Sequence, residues 1–283
     1  MNVQQPYDLG NKSIIITGGA GIICGEIAAF CARAGAKVAI LDLSAERAEQ
    51  KAREIAQTCT QKIIGICCNV LDKKSCVAAN DQILSVFGSA DILINGAGGN
   101  SPKATTACEF ISDSDLDNLD QTFFGLDIDA FRNVFDLNFM GTLLPTMIFA
   151  KSMVQNKGGV VLNISSMNSY RPLTRIPAYS AAKASINNFT AWLAVHLAKQ
   201  NVRVNAIAPG FLLTNQNRFL LTDPITSELT LRGAKILAAT PMNRFGTPEE
   251  LLGAVGFLVS DMSKFVTGIV IPVDGGFSAY SGV

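Results

Sequence analysis

The sequence predicts an α/β fold: one open, doubly wound parallel sheet of about seven strands with helices on both faces. Three observations carry that prediction. Short β-branched runs alternate with longer segments of helical composition along the whole chain. The short runs are apolar almost throughout rather than at every second residue, as strands covered on both faces require. No glycine/serine linker, low-complexity tract or internal repeat divides the 283 residues, a length that α/β domains often use as one unit. A single domain over 1–283 follows.

The elements follow in order. Residues 13–17 (SIIIT) form the first strand and run into glycines. Residues 37–42 (KVAILD), 63–68 (IIGICC), 91–95 (DILIN), 160–164 (VVLNI), 202–207 (VRVNAI) and 267–271 (TGIVI) supply the others. Residues 44–57 and 72–87 have helical periodicity, with Ser44 and Asp72 placed to cap them. Strand-helix alternation of this kind demands right-handed crossovers. Two stretches break the rhythm: a polar and acidic insertion at 98–129, and a second long segment at 211–247. Both leave the carboxyl end of a strand, the edge where open α/β sheets bind ligands. Each is a candidate substrate wall; a surface excursion or subunit contact is the alternative.

Composition excludes several classes. Lys+Arg and Asp+Glu are both 23, so no basic excess points to nucleic acid or anionic lipid. No run of about 18 uncharged apolar residues suggests a membrane span. The start, MNVQQPYDLGNK, lacks a basic stretch followed by an apolar one, which gives a cytoplasmic expectation. Seven cysteines without an export signal read as reduced thiols. There is no Cys-x-x-Cys pair, and His196 is the one histidine. A structural zinc site and a Ser-His-Asp triad both lack parts, and no metal is expected. Charged residues make up 16%, against about 25% in an average soluble protein. That low fraction suggests surface buried between subunits.

After the first strand comes TGGAGIICG, then a helical segment. Strand, glycine turn and helix start put free backbone amides and a positive helix end at one point, which favours a pyrophosphate. Gly18 and Gly21 leave room for the backbone to approach it. Asp42 ends the second strand, 24 positions after Gly18. A carboxylate there accepts hydrogen bonds from an adenosine ribose and repels a 2′-phosphate, so NAD is expected over NADP. Asp42 could instead cap the next helix. Cys24 lies at the helix start, where a thiolate would be stabilised for a redox role; a small residue filling the loop is the favoured reading.

Further on, Pro177 and Ala178 lead into Tyr179, with Lys183 four residues later on the same helix face. A phenol is too weak an acid to serve as a base at neutral pH, and a nearby ammonium should lower its value. Such a pair can give or take the proton of an alcohol-carbonyl interconversion. Ser166, thirteen residues before Tyr179, stands at a strand's carboxyl end, where a hydroxyl can hold the substrate oxygen.

These pieces, together with ILINGAG, DLNFMGT, RVNAIAPGFLLT and PVDGG, resemble the short-chain dehydrogenase/reductase family over nearly the whole chain. The resemblance implies a Rossmann-type fold, NAD as cofactor and a homotetramer. It implies a catalytic triad of Ser166, Tyr179 and Lys183, with Asn138 completing a tetrad through a water relay. It places cofactor contacts at Gly18, Gly21, Ile22, Ile23, Asp42, Asn69, Val70, Asn95, Gly96, Ala97, Pro209, Gly210 and Thr214, besides Tyr179 and Lys183. The chain departs from the family pattern where Ile22 and Cys24 replace glycines, where Asn69 stands for a common aspartate, and where Gly96 interrupts Asn-Asn-Ala-Gly.

Amides and guanidinium groups cluster near the catalytic residues: Asn168, Arg171 and Arg175, then Asn215, Gln216, Asn217 and Arg218, then Asn243 and Arg244. They suit a polyhydroxylated anion better than a steroid or acyl chain, because arginine binds carboxylates through two parallel hydrogen bonds. Ser166, Asn168, Arg175, Asn215 and Arg218 are the candidate substrate contacts. NISSMNSYRPLTRIPAYSAAK and the ending DGGFSAYSGV resemble the bacterial D-mannonate oxidoreductase (fructuronate reductase) branch, which implies interconversion of D-mannonate and D-fructuronate. Another polyol, a gluconate-type acid or a 3-oxoacyl thioester remains an alternative substrate. A non-catalytic NAD sensor is the alternative of a different class. Trp192 and His196 are expected to pack at a subunit interface.

Overall fold

The computed structural model describes residues 7–214, 218–223, 226 and 228–282. Seven parallel strands form one sheet: β1 (Ser13–Thr17), β2 (Lys37–Asp42), β3 (Ile63–Cys67), β4 (Ile92–Asn95), β5 (Gly159–Ile164), β6 (Val202–Pro209) and β7 (Val270–Val273). Their order is β3-β2-β1-β4-β5-β6-β7, the doubly wound topology that the alternation demanded.

The apolar runs of the strands serve two cores at once. Along β1, Ile14 and Ile16 face one side of the sheet and Ile15 the other, because successive side chains alternate. The first side is covered by α1 (Ile22–Arg33), α2 (Ala45–Ala56) and, after β6, α9 (Leu252–Val259). The second is covered by α3 (Lys73–Phe87), α5 (Met140–Gln155) and α6 (Pro177–Leu197). Ser44 and Asp72 cap α2 and α3 as their positions suggest, accepting from Arg47 N and Lys74 N.

The last strand begins three residues later than the sequence suggests. Gly268 takes φ +81°, so the chain cannot become extended until it has passed that turn. Between β4 and α5 lies α4 (Ile128–Asn138), separated from α5 by Phe139 alone. The helical stretch Ile128–Gln155 contains an 18-residue window apolar enough to cross a membrane, 44% of it buried inside the protein. Its apolarity has an internal use: Phe149, Ala150 and Met153 pack into the second core.

The two irregular stretches are built differently from the rest. The 98–129 insertion holds four short 3-10 turns. The segment after β6 holds α7 (Arg218–Leu221) and α8 (Leu231–Ala238).

Candidate active site

The strand order turns back between β1 and β4, and the carboxyl ends of these two strands lie side by side, Thr17 opposite Asn95. Thr17 Oγ1 accepts from the amides of Gly96 at 3.1 Å and Ala97 at 3.2 Å, fastening the glycine loop to the loop after β4. Gly18 adopts φ +63°, and a Cβ there would lie 2.9 Å from Ala97 Cα, so a side chain cannot be accommodated. Gly21 precedes α1 in an extended conformation and provides no side-chain cap. The first amides of α1, at Ile22 and Ile23, therefore point outward without intrahelical acceptors, at the positive end of the helix. This cradle fits a pyrophosphate.

Asp42 stands beside it, 9% exposed. Its Oδ1 accepts from the Ser44 amide at 3.3 Å, and Arg47 Nη1 lies 3.7 Å away. The capping task goes to Ser44, so Asp42 keeps a carboxylate oxygen for a ribose. Asn69 Oδ1 accepts from the Leu71 amide at 3.0 Å, which shapes the turn after β3, and Val70 lies against Gly141. Pro209 ends β6, and the Gly210 amide donates to Val273 O at 3.0 Å, fixing the start of the segment that leads to Thr214.

Asn95, a candidate cofactor contact, turns its side-chain amide inward. Its Nδ2 donates to Thr146 Oγ1 at 2.8 Å and Asn163 Oδ1 at 2.9 Å, and Asn163 continues to Thr190 Oγ1 at 2.9 Å. The amide is drawn inward because it pairs with its neighbour in register on β5. This Thr146-Asn95-Asn163-Thr190 chain, which the sequence did not announce, braces the sheet beneath the site. Cys24 is buried, and burial pushes its thiol up to about 12, so it is packing rather than a thiolate.

Ser166 follows β5 and is 8% exposed; its Oγ accepts from the Asn168 amide at 3.3 Å. Pro177 opens α6 with its pre-set φ, placing Tyr179 in the first turn and Lys183 one turn on. Lys183 Nζ donates to Ile164 O at 2.8 Å and lies 5.5 Å from the centroid of the Tyr179 ring. Burial pulls Lys183 down to about 8. Burial pushes the Tyr179 phenol up, and hydrogen bonding from Ser166 pulls it back only in part. This corrects the expected acidified phenol. The ammonium sits over the ring face, and its own desolvation weakens the charge it could offer.

Asn138 ends α4, fully buried. Its Nδ2 donates to Gly99 O at 2.7 Å and Val134 O at 2.8 Å, and its Oδ1 accepts from the Gly99 amide at 3.3 Å. A Cβ on Gly98 would lie 2.6 Å from Asn138 Oδ1 and 3.5 Å from Lys183 Nζ. Gly98 is thus the gap across which Asn138 and Lys183 approach each other.

The structure brings Ser166, Tyr179, Lys183 and Asn138 to one place, but it spends most of the candidate guanidinium groups elsewhere. Arg175 Nε donates to Thr106 O at 2.8 Å, and the Thr106 amide donates back to Arg175 O at 3.0 Å. Arg175 thus anchors the 98–129 insertion to the loop before α6 through Nε. Arg171 Nη1 donates to Tyr280 O, and Arg244 grips Glu250 through two bonds of 2.8 and 2.5 Å. Arg218 opens α7 and is exposed. Asn168 is buried with its Oδ1 unpartnered among the described residues. Asn215, with Gln216 and Asn217, lies outside the described residues.

Residues 19–278 match a family model described as enoyl-(acyl carrier protein) reductase. An uncharacterised oxidoreductase of Haemophilus influenzae is 52% identical over 284 residues, covering 100% of this chain and 99% of the relative. The uncharacterised oxidoreductase UxuB of Bacillus subtilis is 47% identical over 277 residues, covering 98% of each. A crystal structure of a Haemophilus influenzae protein with bound NAD, provisionally assigned as a D-mannonate oxidoreductase, matches with a TM-score of 0.94 at 52% identity over 100% of both chains. The chain belongs to the short-chain dehydrogenase/reductase family.

Proposed function

We propose that the protein is an NAD-dependent oxidoreductase acting on a CH–OH group of a sugar acid, interconverting D-mannonate and D-fructuronate. The observation that carries the chemistry is the convergence of Ser166, Tyr179 and Lys183 beside a loop built for a dinucleotide. The full-length likeness to a NAD-bound D-mannonate oxidoreductase candidate supports the substrate. The glycine loop with Ile22 and Ile23 holds the pyrophosphate, Asp42 the adenosine ribose, and the 209–214 segment the carboxamide end.

Bound NAD supplies the acceptor or donor of hydride. Tyr179 acts on the substrate oxygen as the proton donor in carbonyl reduction. A phenol raised by burial is fully protonated at neutral pH, as a donor must be. Ser166 holds the same oxygen. Lys183 holds the nicotinamide ribose, and the Asn138–Gly99 pair fixes the floor beneath it. In alcohol oxidation Tyr179 must first lose its proton, so that direction gains rate as pH rises. The 98–129 and 211–247 segments wall the substrate, and Asn168, Asn215 and Arg218 meet its hydroxyls and carboxylate. Of the candidate arginines, Arg218 has no side-chain partner among the described residues. Arg218→Gln should raise KM for a sugar acid about tenfold, with a smaller change in kcat.

Exposed apolar groups on α5 and α6 support assembly in a cytoplasmic homotetramer. Trp192 stacks on His196 at 4.9 Å while remaining 58% exposed, and Val195 on α6 and Met147 on α5 are exposed as well. Sedimentation should give four subunits per particle.

The test of function is a panel at fixed NAD: D-mannonate, D-gluconate, a simple polyol, a hydroxysteroid and a 3-hydroxyacyl thioester. Preferred turnover of D-mannonate is the expected result. Preference for another alcohol removes the substrate, and NAD binding with no turnover of any alcohol favours a sensor.

A further inference from the structure

Ser166 is flanked by two residues that both lead to one side chain. Ser165 Oγ donates to Asn187 Oδ1 at 2.5 Å and, less closely, to Lys183 O at 3.3 Å. Asn187 Nδ2 donates to Ser169 Oγ at 2.8 Å, and Ser169 Oγ donates in turn to the Ser166 carbonyl at 2.5 Å. Asn187 lies on α6, one turn beyond Lys183 and two beyond Tyr179. A polar chain therefore leaves the residue before Ser166, passes through the catalytic helix and returns to Ser166 itself.

The donor directions are consistent along it. A serine hydroxyl has one proton, so once Ser169 gives it to the Ser166 carbonyl its oxygen is left to accept a proton from its other neighbour. The NH2 of Asn187 supplies that proton, and its carbonyl oxygen accepts from Ser165. A hydrophobic residue could pack α6 against the loop equally well, but it could not bond in both directions. The local turn holds the Ser166 backbone, whose carbonyl also accepts from the Ser169 amide at 2.9 Å, but its hydroxyl accepts a single long bond, 3.3 Å from the Asn168 amide.

We propose that Asn187 is a positioning residue: it clamps both flanks of Ser166 to the helix that carries Tyr179 and Lys183, and so sets the serine hydroxyl against the phenol. This rests on the proposed roles of Ser166 and Tyr179. The side-chain bonds of Asn187 go to Ser165 and Ser169, so it acts through Ser166. Loosening it displaces Ser166 by a fraction of an ångström to an ångström, and a misplacement of that size costs up to about a hundredfold in rate. Because hydrogen bonding from Ser166 lowers the Tyr179 phenol, releasing it also raises the pH at which oxidation begins.

The test is a cycle of Asn187→Ala, Ser166→Ala and the double variant, assayed as full-length enzyme with NAD and the best substrate of the panel. Asn187→Ala should lower kcat by roughly 10- to 100-fold, leave the Kd for NAD within about twofold, and move the ascending limb of the oxidation pH profile upward. Asn187→Asp, which preserves shape, accepts from Ser165 but takes the Ser169 proton away from Ser166; it should fall between. In the Ser166→Ala background Asn187→Ala should add nothing. If Asn187→Ala fails to fold, Ser169→Ala breaks the same chain one link away and should show the same shift of the pH limb. An equal loss with or without Ser166, or a lowered Tm with kcat and pH profile unchanged, overturns the clamp alone. An unchanged rate in Ser166→Ala overturns the role of Ser166 and the clamp with it.

Discussion

The floor and the roof of this site are made on different terms. The floor consists of the glycine loop, the loop after β4 and the Ser166–α6 pair, and it stands on strands that are buried along their length. Its polar groups are held by short internal bonds, such as Thr17 to Gly96 and Ala97, Asn138 to Gly99, and Lys183 to Ile164. The roof consists of 98–129 and the segment after β6. Short turns and the helices α7 and α8 build it, Phe110, Phe123 and Phe124 stand exposed on it, and its long-range side-chain ties among the described residues are few. Arg175 joins Thr106 at one point, and Lys235 joins Glu109 at 3.0 Å at another. Under the proposed function the difference separates chemistry from selectivity: the strands fix the reacting groups, while the roof can change its walls at little cost to the core.

Disturbing the floor should therefore cost most. Tyr179→Phe removes the proton route and should lower kcat by roughly 10²- to 10⁴-fold. Binding of NADH, followed by its fluorescence, should be nearly unchanged, because the ring remains in place. A rate within tenfold of the parent would remove the phenol from the mechanism.

Lys183 offers a stability readout of the same floor. Its folded value is about 8 and its ordinary value 10.5, so between these the unfolded chain binds more protons than the folded one. Stability of the cofactor-free protein from this group should then rise as pH climbs from about 8 to 10.5, and be lost as pH falls back through 8. Denaturant titrations across that window should show the rise, and Lys183→Met should abolish it.

At the rim, Asp42→Ala should narrow the preference for NAD over NADP by roughly 10- to 100-fold, since a charged hydrogen-bond acceptor is lost and repulsion of a 2′-phosphate goes with it. Comparing kcat/KM for the two cofactors measures this. Arg47, already beside Asp42, would be released to meet that phosphate.

The roof should respond least. Lys235→Ala cuts an exposed ion pair, which is worth about 0–1 kcal/mol. It should change KM for the sugar acid by less than about fivefold, with the loss fading at high salt. A hundredfold effect would show the roof to be as rigid as the floor.

The same contrast governed what the sequence could reveal. Strands β1 and β2 were legible to the residue because burial on both faces forces a continuous apolar run, and Ser44 and Asp72 marked helix starts through local chemistry. Ser166, Tyr179 and Lys183 were legible because their spacing is local to one strand end and one helix turn. The start of β7 was missed because one glycine's backbone angle decides it. The roof was opaque because its ties join residues 69 and 126 positions apart, which no local pattern encodes. The direction of the Tyr179 shift was misread because it depends on burial, a property of the folded whole. The internal partners of Arg175 and Asn95 were hidden for a similar reason, because sequence neighbours do not disclose them.

The most direct test of the central claim is a crystal structure of the protein with NAD and D-mannonate together. The account predicts that the oxygen on the reacting carbon lies within hydrogen-bonding reach, about 2.6–3.2 Å, of both Tyr179 Oη and Ser166 Oγ, with its carbon facing the nicotinamide ring. A bound substrate whose reacting oxygen is out of reach of the Tyr179 hydroxyl would contradict it.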